Sequence, residues 1–344
     1  MTASTAGRRG VTIAEVAALA GVSVPTVSKV LNGRADVAAG TRARVEAILE
    51  EHSYRRRRGR GTSDPQLIEL VFNHFDNAWA QEVIKGVEDA AAARWVGVVL
   101  SELGGEHRPQ QELIDDILAR RPLGVLLVLS SLDTLQRHQL ESRSIPFVVV
   151  ATWGELPAGV PTVGSNNWNG GLLATRHLLS LGHRRIGVIA GPSDVLCSRA
   201  RVDGYRSALD EAGIPTEPEL VRWGDFHVTG GYTHGMELLS RPDRPTAIFA
   251  GSDYQSLGVM RAVRELGLSI PQDVSVVGYD DIPLAQWLGP SLTTVRQPLR
   301  EMAGTATSMV LDLAAGGTPA NPRIELATEL VVRESTAPAP AGTA

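Results

Sequence analysis

Short apolar runs rich in β-branched residues alternate with amphipathic helical patterns along most of the chain. Each run is bounded by Gly, Pro or polar residues, and the runs are LIELVF (67–72), VGVVLS (96–101), GVLLVLS (124–130), FVVVA (147–151), IGVIAG (186–191), AIFAG (247–251) and VSVVGY (274–279). The helical patterns between them cover 80–93, 110–121, 170–182, 201–213 and 254–267. Such alternation predicts parallel strands covered by helices on both faces. The units are too many for one open sheet, so the pattern predicts two Rossmann-like lobes.

The start of the chain carries a purely helical pattern instead. Apolar residues recur at helical spacing over 13–20, and Gly21 supplies a left-handed residue that can end this helix. Ser23 is a candidate N-cap, Pro25 lies just inside the next helix, and a second apolar stripe ends at Leu31. Residues 41–51 form a third amphipathic segment. Two short helices joined by a Gly-containing turn predict a helix-turn-helix. Any corner between two helices fits the same spacing, but a cap at Thr12 and the early position favour the helix-turn-helix.

The charge distribution separates this head from the rest of the chain. The 344 residues have a formal net charge of −5, yet residues 1–62 contain eleven Arg or Lys against five acids. A basic head on an acidic body is typical of a head that meets phosphate, although a solvated basic head without a partner fits as well. The one cysteine, Cys197, excludes an intrachain disulfide framework and indicates a reducing compartment. Without a signal-peptide pattern or a long apolar run, we expect a cytoplasmic protein with no membrane partner.

The stretch VTIAEVAALAGVSVPTVSKVLNG (11–33) resembles the head of LacI/GalR-type (lactose-repressor family) transcriptional regulators. The similarity continues through TRARVEAILEEHSY and extends to about Val332. The resemblance implies an N-terminal all-α helix-turn-helix head and an α/β effector domain of two lobes, similar to a periplasmic binding protein. It also implies a homodimeric, sequence-specific DNA-binding regulator that a sugar in the cleft releases from a pseudo-palindromic operator.

Three other functions stay open or are disfavoured at this point. The chain could be a regulator that needs a co-repressor or ignores effectors, and a sugar-binding protein without a DNA role is a weaker alternative. An enzyme of the doubly wound fold would need a phosphate-binding loop and a base, and the sequence offers neither, nor metal-ligand spacings. We therefore expect no enzymatic activity, no cofactor and no metal.

The patterns and the resemblance together predict five parts of the chain. These are a head (1–54), an Arg-rich hinge (55–66), a first lobe (67–163 plus 294–325), a second lobe (164–293 plus 326–335) and a disordered tail (336–344). The hinge, RRRRGRGTSDP over 55–65, is either a plain charged linker or a set of phosphate and minor-groove contacts. It lacks the leucine that family members wedge between base pairs, so arginines are expected to make the contact.

The resemblance also implies which residues meet DNA. Val24, Pro25 and Lys29 would face the bases, where only Lys29 can donate a hydrogen bond, to guanine O6 and N7. Thr26, Ser28 and Asn32 would hold phosphates or the turn. The predicted DNA-binding set is completed by Thr12, Ser23, Tyr54, Arg55, Arg56, Arg57 and Arg58.

The resemblance implies most of the candidate effector residues, which lie near the carboxyl ends of predicted strands, where open α/β sheets bind ligands. The set is Asn77, Trp79, Trp168, Arg201, Phe226, Ser252, Asp253 and Asp280. Aromatic rings stack on sugar faces, an arginine fork holds two oxygens, and carboxylates accept from hydroxyls. Trp79 could instead pack against its own lobe, Arg201 could be a surface residue at a helix start, and Asp253 could instead cap the helix that begins at Tyr254.

Two departures from the family weaken any transfer of sugar specificity. Ala151 stands where relatives often carry Asp, and Ser252 stands where many carry Asn. The segments NHFDNAW and NNWNGG are similar to those of regulators of plant-polysaccharide use, which suggests xylose or a xylo-oligosaccharide as the effector. We expect His107, in the loop GGEHR, to be solvated.

Overall fold

The computed structural model describes residues 11–31, 37–52, 66–104, 107–151, 154 and 156–340. Several predictions lie outside these residues and concern the hinge and both ends of the chain. They include the DNA-contact assignments of Asn32, Tyr54 and Arg55, Arg56, Arg57 and Arg58.

Three helices form the head: α1 (Ile13–Ala20), α2 (Val24–Leu31) and α3 (Ala39–Glu51). A capping box starts α1, because the Thr12 hydroxyl accepts from the Glu15 N–H while the Glu15 carboxylate accepts from the Thr12 N–H. Gly21 ends α1 at φ +63°, and α2 leaves at 104° to α1. Fully buried Val16, Val27 and Val45 pack one from each helix into the core.

Twelve strands form two six-stranded sheets in the described part of the chain. The first sheet has the order β11-β5-β4-β3-β1-β2 and is parallel throughout, and the second has the order β12-β10-β9-β8-β6-β7 with only β12 antiparallel. The strands are β1 (Leu67–Phe72), β2 (Gly97–Glu102), β3 (Val125–Val128), β4 (Phe147–Val150), β5 (Thr162–Ser165), β6 (Ile186–Ala190), β7 (Val221–Trp223), β8 (Ala247–Ala250), β9 (Ser275–Asp280), β10 (Thr293–Arg296), β11 (Arg323–Leu326) and β12 (Glu329–Val331).

Helices cover both faces of each sheet, as β1 illustrates. Ile68, Leu70 and Phe72 face one apolar cluster, while Val71 faces another that contains Ile114. The helices are α4 (Ala78–Ala92), α5 (Gln111–Arg120), α6 (Thr134–Ser142), α7 (Asn167–Ser180), α8 (Leu196–Glu211), α9 (Val228–Leu239), α10 (Asp253–Glu265) and α11 (Leu299–Ala314), with short 3₁₀ helices at Pro218–Leu220 and Ala285–Trp287. Side-chain alternation along buried parallel strands therefore needs two layers of helices.

Three of these helices, α6, α9 and α11, have no counterpart among the predicted patterns. Helix α9 contains three glycines, which weaken its helical signal. The structure gives the reason for one of them: a Cβ at Gly231 would lie 2.1 Å from the Gln255 carbonyl oxygen, so glycine is what lets α9 and α10 pack closely. Tertiary contact outweighs local propensity here.

The chain passes between the lobes three times, each time slightly later than the predicted boundaries. Strand β5 stays in the first sheet to Ser165, and β10 stays in the second sheet to Arg296, so assigning 294–296 to the first lobe was wrong. The predicted disordered tail was also wrong for residues 336–340. The Ala339 N–H donates to the Leu181 carbonyl at 2.9 Å, and the Ala337 carbonyl contacts the buried His183 ring at 3.1 Å.

Candidate functional site

Helix α2 presents one exposed face away from the core of the head. Val27, Val30 and Leu31 are buried, whereas Val24, Pro25 and Lys29 are exposed on the opposite side. Thr26 and Ser28 lie at the edges of this face, half-buried. The Ser23 hydroxyl accepts from the Thr26 N–H at 3.3 Å and so starts the helix. The residues that the resemblance assigns to bases therefore share one accessible surface.

At the carboxyl end of β1, the first-lobe candidates take local structural roles as well. The Asn77 Oδ1 accepts from the Ala80 N–H at 2.8 Å and caps α4. The half-buried Trp79 ring packs edge-on against Phe72, with ring centroids 6.2 Å apart. Packing of Trp79 against its own lobe, one of the two predicted alternatives, is thus present.

Arg201 is the most constrained charged residue of the second lobe. It is 6% exposed, and its Nε donates to the Asn167 Oδ1 at 2.9 Å while another guanidinium nitrogen donates to the Gly251 carbonyl. The guanidinium carbon lies 3.7 Å from the Tyr279 ring centroid and 5.5 Å from that of Phe226. The alternative of a surface arginine at a helix start does not hold, because this fork is buried in a fixed orientation.

Asp280 ends β9 close to this arginine, in a strained conformation. It has φ +114° and 6% exposure, and its Oδ1 accepts from the Gln297 Nε2 at 2.6 Å. Burial raises the pKa of Asp280 to about 6, against the opposing effects of the Arg201 charge and the Gln297 hydrogen bond. Gln297 in turn accepts from the Ser165 hydroxyl. Asp280 is therefore tied to the crossover segments that join the lobes.

Backbone strain recurs at the ends of several strands facing the cleft. Positive φ angles follow β3 at Leu129, β4 at Ala151, β7 at Phe226 and β9 at Asp280 and Asp281. Non-glycine residues rarely adopt such angles, and the residues that do so are concentrated at ligand sites. The strained residues thus mark the same edge of both sheets.

Ser252 and Asp253 differ from their predicted roles. Ser252, not Asp253, is the N-cap of α10, since its hydroxyl oxygen accepts from the Gln255 N–H at 3.1 Å. Both oxygens of the buried Asp253 carboxylate accept protein hydrogen bonds, from the Ile282 N–H at 2.8 Å and the Thr294 hydroxyl at 2.6 Å. Burial and then the charge of Asp280 raise the pKa of Asp253 well above its ordinary value. The Asp253 carboxylate thus links the start of α10 to Ile282, just after β9, and to Thr294 in β10.

A cavity of about 750 Å³ lies between the lobes beside Asn167, the hydrogen-bond partner of Arg201. The first lobe contributes Ala151 and Thr162, and the second contributes Asn167, Trp168 and Cys197. Asn167 connects this space to Arg201 through its hydrogen bond, and Trp168 is 43% exposed. The small Ala151 side chain leaves room here. A smaller cavity of about 340 Å³ adjoins Asp280, between the start of α11 and Glu82.

Sequence reasoning missed several buried polar groups at this edge. Asn73 Oδ1, Ser130 Oγ, Ser198 Oγ and Gln255 Oε1 have no hydrogen-bond partner among the described residues. Asn73 directly follows β1 and Ser130 lies two residues after β3, and this position at a strand end is the signal that could have found them. Burying such atoms without partners is costly, so they indicate a polar ligand site.

His107, expected to be solvated and not a ligand, is only partly exposed. Its ring lies half-buried beside Asn73 and Leu129, with its Nδ1 3.3 Å from Asn73 Nδ2 and 3.4 Å from the Leu129 carbonyl oxygen. Burial lowers the pKa of His107. Within the described ranges, no group of three or more His, Cys, Asp or Glu side chains could hold a metal ion. No single helix there is long and apolar enough to cross a membrane; only the bent pair α1 and α2 passes a joint test of length and composition.

A helix-turn-helix head joined to a two-lobe domain with a polar cleft defines a DNA-binding regulator with an effector domain. Comparison with known proteins specifies the class. Residues 12–57 match the family described as bacterial regulatory proteins, lacI family, and residues 175–336 match a periplasmic binding protein-like domain. The chain belongs to the lacI family of DNA-binding transcriptional regulators.

The similarity to known repressors extends over nearly the whole length of both chains. The chain is 32% identical to the ribose operon repressor of Escherichia coli K12, covering 94% of this chain and 99% of the relative. It is 34% identical to the transcriptional repressor PurR of Proteus mirabilis, covering 96% and 98%. Both relatives are repressors.

Solved structures agree with this assignment. The transcriptional regulator CelR in complex with cellobiose is 35% identical, with a TM-score of 0.69 and coverage of 94% of this chain and 99% of that chain. The lac repressor dimer bound to operator and the anti-inducer ONPF is 27% identical, with a TM-score of 0.69 and coverage of 96% and 100%. A ribose-bound regulator from Enterococcus faecium is 28% identical, with a TM-score of 0.71 and coverage of 79% and 99%.

Proposed function

We propose that this protein is a cytoplasmic, homodimeric repressor that a neutral sugar in the interlobe cleft releases from its operator. The observation that carries the proposal is the arrangement around Arg201: a buried guanidinium between two aromatic rings, with a carboxylate at the adjacent strand end. Planar donors, carboxylate acceptors and ring faces are the groups that bind sugar hydroxyls and C–H faces. Arg201, Asp280, Phe226 and Trp168 are the residues we assign to direct sugar contact.

The remaining predicted residues have supporting roles in this proposal. Asn77 and Ser252 hold helix starts at the cleft, and Asp253 fixes the strand end that carries Asp280. Trp79, packed against Phe72, is placed to offer a ring edge from the first lobe. The second lobe thus anchors the sugar, and the first lobe closes over it.

The effector is, in this proposal, a short oligosaccharide. The cavity of about 750 Å³ extends from Asn167, which is hydrogen-bonded to Arg201, past Trp168 to Thr162. Pockets of roughly 300–1,000 Å³ enclose ligands of drug size. Similar proteins bind sugars of both sizes: CelR is in complex with the disaccharide cellobiose, and the E. faecium regulator with the monosaccharide ribose. We infer a disaccharide or longer, with xylo-oligosaccharides and cellobiose as the first probes and xylose as the monosaccharide probe.

The regulatory mechanism follows from linkage between two sites. A sugar that binds one lobe geometry more tightly shifts the population toward it, and coupling energies of about 1–3 kcal/mol are typical. We propose that α4, within 81–89, contributes to the dimer face, so that lobe rotation changes the spacing of the two heads. There are two alternatives. In co-repression the ligand strengthens operator binding, and an effector-blind regulator binds DNA without responding to any ligand.

The deciding experiment is a fluorescence-anisotropy titration of the dimer against the DNA upstream of its own gene. Xylobiose, cellobiose, xylose and ribose are added in turn. Release by one of them, together with its loss in Asp280→Asn, is the expected result, and Asp210→Asn on the exposed side of α8 is the matched control. Tight DNA binding that no sugar changes would contradict sugar-induced release, and tighter binding with a sugar would reverse its sign.

A second test concerns the DNA-binding face of α2. Lys29→Ala removes the exposed base-facing donor, so we expect operator affinity to fall by about 10- to 100-fold, equivalent to about 1–3 kcal/mol. Arg261→Ala, which removes an exposed cation from the second lobe, is the control. Equal affinities for the operator in both variants would remove Lys29 from base recognition.

A further inference from the structure

One hydrogen bond joins the two lobes directly at the start of α4. The backbone N–H of Ala78 donates to the hydroxyl oxygen of Tyr254 at 2.8 Å, although the residues are 176 positions apart. Ala78 is the first residue of α4 in the first lobe, and Tyr254 lies in the first turn of α10 in the second lobe. Both residues are half-buried at the cleft.

The donor is a group that a helix cannot satisfy by itself. The first four N–H groups of an α-helix have no carbonyl partner within it. At this helix, Asn77 satisfies two of them, with its side chain accepting from Ala80 and its carbonyl from Gln81. The Ala78 N–H is bonded by the second lobe instead. The N–H lies at the positive end of the helix dipole, which favours the partly negative phenol oxygen as its acceptor.

The acceptor is held in place by the second lobe. Tyr254 lies between two buried residues whose side chains are themselves bonded: Asp253 accepts from the Ile282 N–H, and Gln255 donates to the Ala190 carbonyl at 2.9 Å. A phenol can accept one hydrogen bond and still donate its own proton. Among the described residues, Ala78 provides the one hydrogen bond found for this hydroxyl.

Helix α4 in turn moves with the first lobe. An added Cβ at Gly86 would lie 2.5 Å from the Arg300 carbonyl oxygen, which shows how closely α4 packs on α11. The Arg300 side chain also pairs with Glu82 at 2.6 Å. A bond that fixes the start of α4 to α10 therefore fixes the first lobe to the second.

We propose that Tyr254 is a positioning residue that holds the lobes closed through the Ala78 N–H and so sets the orientation of α4. This proposal depends on the lobe geometry and not on the identity of the effector. A net intramolecular hydrogen bond shifts an equilibrium by about two- to tenfold. Loss of the bond should raise the population of open lobes by that factor.

The single cysteine of the chain provides the reporter. The half-buried Cys197 lines the interlobe cavity together with Ala151 of the first lobe, so opening of the lobes should expose its thiol further. Its rate of reaction with a chromogenic aromatic disulfide is measured in the full-length, ligand-free protein. The variants are Tyr254→Phe, Ala78→Pro and the double variant, with Tyr232→Phe, which breaks a bond to Glu265 inside the second lobe, as control.

Ala78→Pro removes the N–H with little other disturbance. Proline suits the first position of a helix, and Asn77, at φ −134° and ψ 157°, already has the extended conformation required before proline. Thermal melting of each variant verifies that it is folded.

We expect each single variant to accelerate thiol modification about two- to tenfold, the double variant to match the single ones, and Tyr232→Phe to match the wild type. Unchanged rates in both single variants, or effects that multiply in the double variant, would overturn the proposal. Protection of the thiol by xylobiose or cellobiose tests the proposed function separately, so failure of either can be recognised without the other.

Discussion

The two lobes have equivalent strand orders, apart from the direction of the last strand, but their cleft edges differ in how the polar groups are bonded. In the second lobe, Arg201, Ser252 and Asp253 are buried and held by hydrogen bonds to their own lobe. In the first lobe, Asn73 and Ser130 are placed at the cleft with oxygen atoms that no described residue bonds, and Ser198 and Gln255 of the second lobe also have such atoms. We infer that the charged side chains of the second lobe are fixed before any ligand binds, whereas the unbonded polar atoms of both lobes acquire partners only when the cleft is occupied.

The largest expected effect among the tests of this contrast is that of Arg201→Ala. It leaves the Asn167 amide oxygen, the Gly251 carbonyl and the Asp280 carboxylate without their cation in a buried site. We expect the free energy of unfolding to fall by about 3 kcal/mol or more. Chemical denaturation measures it. Arg206→Ala on the same helix breaks an exposed pair with Asp203 and should cost at most about 0.5 kcal/mol; similar losses in both variants would contradict a preorganised second lobe.

The second-largest effect is expected from a substitution at the contact between α7 and α8. A Cβ at Gly204 would lie 2.1 Å from the Trp168 carbonyl oxygen, so Gly204→Ala must push the two helices apart. We expect a loss of about 1–3 kcal/mol in unfolding free energy together with weaker sugar binding, because Trp168 and Arg201 lie on these two helices. Gly304→Ala, whose added methyl meets only ordinary contacts, is the control. Unimpaired sugar binding in a destabilised Gly204→Ala would separate the helix packing from the site.

A smaller effect is expected in the pH dependence of stability. Burial raises the pKa of Asp280 from its ordinary 3.8 to about 6, so the folded state holds this proton more tightly than the unfolded state. The stability that results is complete below about pH 4 and is lost as pH rises through 6. Asp280→Asn should therefore gain stability relative to the wild type across this window, as measured by thermal melting at each pH. A constant difference between the two proteins would exclude this titration; Asp210→Asn is the control.

The smallest effect on stability is expected from Ser130→Ala in the first lobe. The replaced hydroxyl is buried without a partner among the described residues, so its loss should change the unfolding free energy by less than about 0.5 kcal/mol or raise it slightly. Ser335→Ala in the second lobe removes a hydroxyl that accepts from the Thr293 N–H and donates to the Val276 carbonyl, and should cost about 1–3 kcal/mol. Equal costs would remove the contrast between the lobes, and weaker sugar binding in Ser130→Ala would place that hydroxyl at the ligand.

Much of the candidate site was predictable because it follows the ends of strong strand patterns. Arg201, Phe226 and Asp280 were assigned from the resemblance and lie close together in the structure. The roles of Ser252 and Asp253 were interchanged in part, because both residue types cap helices and a shift of one position decides which side chain caps α10 and which is turned inward. Tyr254 was missed, since its partner is a backbone N–H on the other lobe and leaves no trace in side-chain patterns.

The sequence by itself determined the family, the helical head and the two parallel sheets, because hydrophobic periodicity and turn residues act locally. Only the tertiary structure decided the three crossover points, the packing of 336–340 and the hydrogen bond between lobes. It also decided that Arg201 is buried between Tyr279 and Phe226 and that Asn73 and Ser130 lie at the cleft edge without described partners. These features depend on which groups meet across distant segments, and burial changes both their pKa values and the cost of leaving them unbonded.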